Sequence, residues 1–423
     1  MSSRFYSVFA AVLMAAAMWI WAQKILIAHQ QVQATAREIP RGNLSDLYPR
    51  WLGARELLLR GRDPYGPDIT REIQTGYYGR PLDATRPNDP KDQQAFAYPV
   101  YVVFFLAPTV RLPFPLVQRV FLGLLVVLTA ASIPMWLRAL GWRTSSVGKF
   151  LWIVLALGCF PAVQGFKLQQ LTLLVAGLLA AAFSALASGY FAAAGILLAL
   201  ASIKPQLVAL PVVVLCVWSL GNWRERRRLV LGLGLTMLLL CAGGEVVLPG
   251  WIGKFRTASR AYLQYTGGGT SVLDVELTPT WGRLVAGILV AVLVYFAWRL
   301  RQTPVESREF GWLVGLTLAT TLMVIPMVAP YNQMLLVPVF MVVVRGIRPL
   351  WRAGGLPRFF VVLTALSVFW PWVMAAALVA ALLVVPAPMV QRAWVLPVLS
   401  NFAIPTLTLG LVLIGWKAMR DSE

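Results

Sequence analysis

Phe359–Val385 reads FFVVLTALSVFWPWVMAAALVAALLVV, a run of 27 residues without a charged side chain. A helix needs roughly 20 apolar residues to cross the hydrocarbon core of a bilayer, so this run is long enough to span it. Leu229–Leu240 is a second continuous apolar run. Neither run alternates apolar and polar residues as the strands of a membrane barrel do. The pattern therefore predicts membrane-spanning helices.

The composition of the whole chain agrees with that pattern. Of the 423 residues, 59% are hydrophobic and 13% are charged, whereas about a quarter of the residues in soluble domains are charged. The hydrophobic residues are enough for about twelve spans of roughly 20 residues each. We therefore predict an all-α polytopic membrane protein with about twelve transmembrane helices, forming one integral-membrane domain over residues 1–423.

The formal charge of +20 would suggest nucleic acid as the partner of a soluble protein. In a membrane protein, surplus Lys and Arg collect in cytoplasmic loops and meet lipid phosphates. We therefore expect the lipid bilayer as a partner and no nucleic acid. The three cysteines, Cys159, Cys216 and Cys241, lie inside apolar runs and form no paired motif. We expect neither a metal nor a cofactor.

The sequence contains thirteen apolar segments and five basic clusters, and the positive-inside rule assigns these clusters to the cytoplasm. With both termini inside, the number of crossings is even, so one segment does not span. We expect this to be residues 98–112, which Pro99 and Pro108 interrupt and Pro113 follows, and which would dip in and return. The chain then crosses the plasma or inner membrane many times. The polar segments 28–97 and 249–281 become the first and second extracytoplasmic loops.

The first of these loops contains over half of the acidic residues of the chain. It also carries a short helical pattern, in which one face holds Leu47, Trp51, Ala54 and Leu58. Ser45 is the expected N-cap, Asp46 lies in the first turn, and Gly61 ends the helix. Gly53, Glu56 and Arg60 fall on the opposite, polar side. We expect short surface helices of this kind along the outer face of the membrane.

Phosphate-cradling, dinucleotide-binding and zinc-binding signatures are missing from the sequence. Five motifs, however, resemble glycosyltransferase family 87, and they follow that family's order. They are Asp46-Leu47-Tyr48 followed by Gly61-Arg62-Asp63-Pro64-Tyr65, Phe96-Ala97-Tyr98-Pro99, Gln170-Leu171-Thr172, Ile203-Lys204-Pro205, and Pro330-Tyr331-Asn332-Gln333. Two positions depart from the family pattern, because Val100 replaces a proline and Gln169 replaces a glycine.

The resemblance implies a GT-C fold and a polyprenyl-phosphate sugar donor, often of mannose, with a glycolipid or glycan as acceptor. Such a donor has a phosphate leaving group, so one carboxylate suffices to take the proton of the attacking hydroxyl. Asp46 matches the family's aspartate and is the candidate base, with Glu38 as second candidate. The alternative is that Asp46 only complements the dipole of its helix.

The remaining candidates are cations and polar residues near predicted helix ends. Lys204 lies in an apolar run, where an ammonium group is costly unless it is functional. It is the expected ligand of the donor phosphate, together with Lys167 and Arg260. The alternatives are snorkelling to the interface for Lys204 and a solvated loop charge for Arg260. Residues expected to contact sugar or acceptor are Tyr98, Gln170, Tyr331 and Asn332; the alternative is that they join helices or sit at the interface.

Two other functions fit a chain of this type. A transporter or flippase of lipid-linked saccharides would also have many spans and an intramembrane lysine, but such proteins commonly show two related halves, which this sequence lacks. A saccharide polymerase or ligase would use a lipid-diphosphate donor, often with more external arginines or a histidine. His29 is the only histidine, so the sequence favours the glycosyltransferase.

Overall fold

The computed structural model describes residues 3–36, 45–83, 85, 86, 89–266, 269–327 and 329–420, and in these residues the regular structure is entirely helical. Glu38, the second candidate for the base, lies outside the described residues. The all-α prediction is confirmed for the described part of the chain.

The first half of the chain runs as follows. It contains α1 Ser3–Trp21, a π-helical turn Ala22–Leu26, α2 Ile27–Ala36, α3 Leu47–Arg60, α4 Pro67–Tyr78, α5 Val102–Leu106, the 3-10 turn Ala107–Thr109, α6 Phe114–Ala139, α7 Ser146–Gly158, α8 Phe160–Lys167, α9 Leu171–Ala187, α10 Phe191–Ala201, α11 Pro205–Ser219, the 3-10 turn Leu220–Asn222 and α12 Trp223–Val247.

The second half begins with two helices of 15 and 5 residues and then returns to long apolar ones. It contains α13 Trp251–Tyr265, α14 Val272–Glu276, α15 Pro279–Arg299, α16 Arg308–Val324, the 3-10 helix Pro330–Leu336, α17 Val337–Arg345, α18 Ile347–Arg352, α19 Gly355–Ala381, α20 Ala387–Arg392, the 3-10 helix Leu396–Asn401 and α21 Ala403–Arg420.

Six helical stretches among the described residues are long and apolar enough to cross a membrane. They are Phe5–Ala36, Phe114–Ala139, Pro205–Val247, Pro279–Arg299, Gly355–Ala381 and Ala387–Trp416. The bent pair α7 and α8, which meet at 53°, is a seventh if it forms one span, and α9, α10 and Pro330–Arg345 are shorter apolar helices. The protein is therefore a multi-pass helical membrane protein. Helix α5 has five residues, too few to span, as expected for residues 98–112.

Helix α16 forms the centre of the helical bundle. Every residue from Phe310 to Met323 is buried, and a helix that is apolar on all sides is stable only when other elements surround it. Helices α11, α15, α17 and α21 all pack against it. By contrast, α12 exposes Leu231, Leu235 and Leu238, as expected of a face in contact with lipid.

Helices α10 and α12 approach each other closely through glycines. A Cβ atom added to Gly195 would lie 2.1 Å from the Leu229 carbonyl oxygen, and one added to Gly232 would lie 2.5 Å from the Ala192 carbonyl oxygen. Small residues let helix backbones pack tightly, which is a common way to join helices within a bilayer. This packing holds α10, and with it the loop that leads to Lys204, against the bundle.

The first loop folds over one end of this bundle, and here one expectation was wrong. Residues Gly53 and Glu56 of α3 were expected on an exposed polar face, but both are buried. A Cβ atom at Gly53 would lie 2.4 Å from the Phe96 ring, so the loop itself covers that face. Glu56 is accommodated by ion pairs with Arg60 and Arg62. Helix α3 is thus covered on two sides rather than one.

Candidate functional site

Asp46 is the N-cap residue of helix α3. Ser45 Oγ accepts a hydrogen bond from the Leu47 N–H at 3.2 Å, and Gly61 ends the helix in the left-handed region at φ 65°. The helix ends at Gly61 as expected, whereas its N-cap is Asp46, one residue after the expected Ser45. The Asp46 carboxylate makes no capping hydrogen bond to its own helix, which argues against a role limited to the helix dipole.

The Asp46 carboxylate is instead directed toward distant parts of the chain. One oxygen, Oδ2, accepts a hydrogen bond from Gln170 Nε2, and the other, Oδ1, accepts a long hydrogen bond of 3.4 Å from the Tyr77 hydroxyl. The Asp46 main-chain N–H donates to the Leu168 carbonyl oxygen at 3.0 Å. These bonds fix the base candidate against the junction of α8 and α9.

Lys204 meets the same glutamine from the opposite end of its amide. Its Nζ donates to Gln170 Oε1 at 2.9 Å and to Thr172 Oγ1 at 2.7 Å, and the side chain is only 6% exposed. A lysine held in this way does not snorkel to an interface. Gln170 therefore connects the carboxylate of Asp46 to the ammonium group of Lys204.

The predicted sugar-binding residues surround this connection. Lys204 Nζ lies 5.1 Å from the ring centroid of Tyr331 and 5.9 Å from that of Tyr98. Asn332 Oδ1 accepts a hydrogen bond from the Thr172 hydroxyl at 3.1 Å. The structure thus gathers into one cluster six of the predicted site residues, namely Asp46, Tyr98, Gln170, Lys204, Tyr331 and Asn332.

The other two predicted phosphate ligands are placed differently. The Lys167 ammonium donates to Gln30 Oε1 of α2, and Lys167 is close enough to interact electrostatically with Asp46. Arg260 is exposed on α13, two residues before Tyr262. Lys167 therefore borders the cluster, whereas Arg260 points to solvent from the second loop.

Three helices begin at the cluster. Asp46, Gln170 and Lys204 are the N-cap residues of α3, α9 and α11, respectively. Helix N-termini carry unpaired N–H groups and the positive end of the dipole, so they favour anions. Together with Lys204, this arrangement makes the cluster suitable for binding phosphate.

The structure adds residues that the sequence did not single out. Arg50 is buried beside Asp46, and Asp92 accepts a hydrogen bond of 2.9 Å from the Tyr262 hydroxyl of α13. The position of Arg50, four residues after Asp46 on one helix face, was a usable signal. Asp92 and Tyr262 are 170 residues apart, and no local pattern connects them.

The pKa of Asp46 is raised above its ordinary value. Burial is the main cause, and the nearby negative charge of Asp92 adds to it. Arg50, Lys204 and the hydrogen bond from Gln170 act in the opposite direction. A carboxylate whose pKa is moved toward neutrality by burial is a better proton acceptor.

Residues of the first-loop motifs contact the backbone and the neighbours of Tyr98. The Tyr65 hydroxyl donates to the Tyr98 carbonyl oxygen at 2.6 Å, and the Tyr65 ring packs edge-on against Phe96 at 5.3 Å. The Lys254 ammonium of α13 pairs with Asp63 at 2.9 Å. The motif at 61–65 therefore positions Tyr98 rather than the reacting groups.

Gln169 occupies a position at which glycosyltransferase family 87 has glycine, and the backbone conformation at this position favours glycine. Its φ is 44°, in the left-handed region that favours glycine. Two side-chain hydrogen bonds accompany this conformation, because Gln169 Nε2 donates to the Phe166 carbonyl oxygen at 2.5 Å and Gln118 Nε2 donates to Gln169 Oε1 at 3.0 Å. These bonds offset the steric cost of the side chain.

Two replacements of Gln169 separate the cost of its left-handed backbone from the stabilisation by its side-chain hydrogen bonds. Both Gln169→Ala and Gln169→Gly lose the side-chain hydrogen bonds, but only the glycine variant also loses the left-handed strain, about 1 kcal/mol. We expect both to unfold at lower temperature than wild type and the alanine variant to be the less stable of the two. Thermal unfolding in detergent measures the order, and equal melting temperatures for the two variants would contradict it.

An apolar cavity of about 410 Å³ lies against the 3-10 helix Pro330–Leu336, which carries Tyr331 and Asn332. Gln333 and Met334 of the 3-10 helix line it, whereas Tyr331 of the same helix approaches Lys204. Most of the remaining lining comes from α7, α8, α17 and α19, including Leu151, Trp152, Phe160, Phe340, Val368 and Trp372. The 3-10 helix is therefore a wall shared by a polar cluster and an apolar cavity.

Comparison with known proteins adds a family to this geometry. No curated protein and no solved structure matches the chain. The profile of glycosyltransferase family 87 matches residues 96–326, a segment that includes Tyr98, Gln170 and Lys204 and begins after Asp46. Since the match covers more than half of the chain, the protein belongs to glycosyltransferase family 87 and is a membrane glycosyltransferase.

Proposed function

We propose that the protein transfers a hexose, which we expect to be mannose, from a polyprenyl phosphate to a glycolipid or glycan acceptor. The observation that carries this proposal is the hydrogen-bonded connection from Asp46 through Gln170 to Lys204. It holds a proton acceptor and a cation at a short, fixed separation. A transfer from a sugar phosphate needs these two groups on either side of the reacting carbon.

In the proposed reaction, Asp46 takes the proton of the acceptor hydroxyl as its oxygen forms a bond to the anomeric carbon. The bond from that carbon to the phosphate oxygen breaks, and its electron pair stays on the phosphate. Lys204 and the N-termini of α9 and α11 stabilise this added charge. Attack and departure on opposite faces of the carbon invert the configuration of the sugar.

The apolar cavity supports a donor linked to a lipid. It shares the 3-10 helix Pro330–Leu336 with the polar cluster, so a phosphate beside Lys204 and an isoprenoid chain in the cavity would be close neighbours. Most of the side chains that line the cavity are apolar, and their burial against a hydrocarbon chain is favourable. A nucleotide sugar has no apolar part that would use it.

The membrane arrangement belongs to the same proposal. The basic clusters indicate that the first and second loops face away from the cytoplasm, in a plasma or inner membrane that the chain crosses about twelve times. The donor would then reach the cluster from the outer leaflet. Cysteine labelling of single-cysteine variants in intact cells tests this, because labelling of Asp83→Cys by an impermeant reagent is expected only for an external loop.

Two alternative functions remain: a transporter or flippase would catalyse no transfer reaction, and a polymerase or ligase would use a different donor. Membership in a glycosyltransferase family favours an enzyme over a transporter or flippase. A polymerase or ligase would release a lipid diphosphate, which carries more negative charge than a monophosphate. Purified protein in lipid nanodiscs should transfer label from polyprenyl-phosphate mannose to membrane extract. Transfer only from a polyprenyl-diphosphate sugar, or from neither donor, would overturn the proposed donor.

The raised pKa of Asp46 predicts the acid side of the pH profile. The base is active only when ionised, so kcat falls as the pH decreases through the pKa of Asp46. Because burial raises that pKa, the fall should begin at a higher pH than for an ordinary exposed aspartate. Steady-state transfer measured across pH checks this, and an acid limb at the position of an ordinary carboxyl group would contradict it.

A further inference from the structure

Arg50 is a buried cation next to the cluster that no part of the proposed reaction has yet used. Arg50 is only 9% exposed, and its Nη1 donates a hydrogen bond of 2.7 Å to the Asp46 carbonyl oxygen. Its Nε is buried without a hydrogen-bond partner, and its guanidinium forms no ion pair in the described part of the chain. A buried guanidinium with an open donor is costly unless an anion or acceptor completes it.

The position of Arg50 relative to Lys204 indicates where that anion would lie. The Arg50 guanidinium carbon is 4.5 Å from the centroid of the Tyr98 ring, and Lys204 Nζ is 5.9 Å from the same centroid. Both cations also interact electrostatically with Asp46. Two positive groups therefore meet at one aromatic ring beside the candidate base.

The charges around the cluster are unequal before a substrate binds. The cations Arg50, Lys204 and Lys167 face the carboxylates Asp46 and Asp92. At formal charges this leaves one positive charge over, which a phosphodiester with a single negative charge would neutralise. Without Arg50 the formal charges of the remaining four groups would balance.

We propose that Arg50 binds the donor phosphate together with Lys204, as the second cation of the site. This inference rests on the proposed polyprenyl-phosphate donor. Guanidinium presents several N–H donors in a planar fork that fits two phosphate oxygens, whereas ammonium acts as a point charge. Arg50 therefore supplies the open donor, while Lys204 is already bonded to Gln170 and Thr172.

The reaction itself strengthens this interaction. When the sugar leaves, the proton of the acceptor moves to Asp46 and the phosphate gains one negative charge. Arg50 then faces a neutral carboxyl group on one side and a doubly charged phosphate on the other. Its attraction to the phosphate is thus greater in the product than in the donor, which is the condition for stabilising the transition state.

A second role for Arg50 has to be separated from this one. Its bond to the Asp46 carbonyl oxygen and its charge could act only on the position and pKa of the base. Loss of that charge would then raise the pKa of Asp46 and move the acid limb of the pH profile upward. It would leave the affinity for a prenyl phosphate unchanged. Binding in the absence of an acceptor therefore distinguishes the two roles.

The test measures binding of citronellyl phosphate to the full-length protein in nanodiscs, for wild type, Arg50→Gln and Arg50→Lys. We expect Arg50→Gln to lose about 10- to 100-fold in affinity, as for loss of a hydrogen bond to a charged group. Arg50→Lys keeps the charge and should recover part of that loss. Arg55→Gln is the matched control, because Arg55 lies on the same helix but stacks on Trp51, and it should bind as wild type does.

Each result bears on a different statement. Wild-type affinity in Arg50→Gln, with a raised acid limb, would overturn the role in phosphate binding and leave the proposed donor standing. If wild type itself does not bind citronellyl phosphate, the proposed donor is wrong and the role of Arg50 falls with it. Should Arg50→Gln fail to fold, weaker binding by the charged Arg50→Lys variant still supports the inference, and unchanged binding contradicts it.

Discussion

Asp46→Asn is expected to abolish transfer while leaving the protein folded and able to bind donor. Asparagine has nearly the same shape, and its Oδ1 can still accept the hydrogen bond from Gln170. It cannot take a proton from the acceptor hydroxyl, so the rate should fall by roughly 10²–10⁴-fold, the usual contribution of a general base. Steady-state transfer gives the rate, and citronellyl phosphate binding gives the affinity for the prenyl phosphate part of the donor.

Asp83→Asn is the matched control for that variant. Asp83 is also in the first loop, but it is exposed, and its carboxylate bonds to Thr85 rather than to the cluster. Its removal should leave transfer within a few-fold of wild type. If Asp46→Asn transfers sugar at the wild-type rate, Asp46 is not the base. Asp92, which interacts electrostatically with Asp46, would then be the next candidate.

Lys204→Met should lower kcat by about 10²–10³-fold, the usual effect of removing a donor that stabilises developing negative charge. Methionine fills much of the same volume, so the effect measures the lost charge rather than a cavity. The substitution also leaves Gln170 Oε1 and Thr172 Oγ1 without their shared donor. Part of the loss should therefore appear as a less well positioned Asp46.

Lys254→Met provides the comparison, since Lys254 is a partly exposed lysine that pairs with Asp63 on the outer surface. We expect this variant to lose at most about 1 kcal/mol of stability, as for a surface ion pair, and to keep its transfer rate. If both methionine variants lose activity equally, the loss in Lys204→Met comes from a disturbed fold and not from a lost contact with the phosphate. If neither does, Lys204 is not a phosphate ligand.

Some features of the site could be predicted because they depend on local sequence. The end of α3 follows from Gly61, whose left-handed capping geometry needs only neighbouring backbone groups, and the N-cap, Asp46, is one residue from the expected Ser45. Likewise, Lys204 was a candidate because an ammonium group inside an apolar run requires an explanation. The resemblance in motifs extended this to residues such as Gln170 and Tyr331, which the structure then brings to Lys204.

Other features depend on packing between distant segments. Glu56 was expected on an exposed face, because a carboxylate at that helical position normally faces water, but Arg62 and the folded loop bury it. The contact between Asp92 and Tyr262 joins the two polar segments 28–97 and 249–281, and the open donor of Arg50 exists only because Tyr98 and Asp46 close around it. No spacing along the chain contains that information.

The amino-acid sequence by itself determined that this chain is a helical membrane protein, because long apolar runs must satisfy their backbone hydrogen bonds within a helix. It also determined which charged residues stand in unusual surroundings. Only the tertiary structure decided that Gln170 joins Asp46 to Lys204 and that Arg50 shares Tyr98 with Lys204. Hydrogen bonds and charge interactions act over a few ångströms in space, and these residues are up to 158 positions apart in the chain.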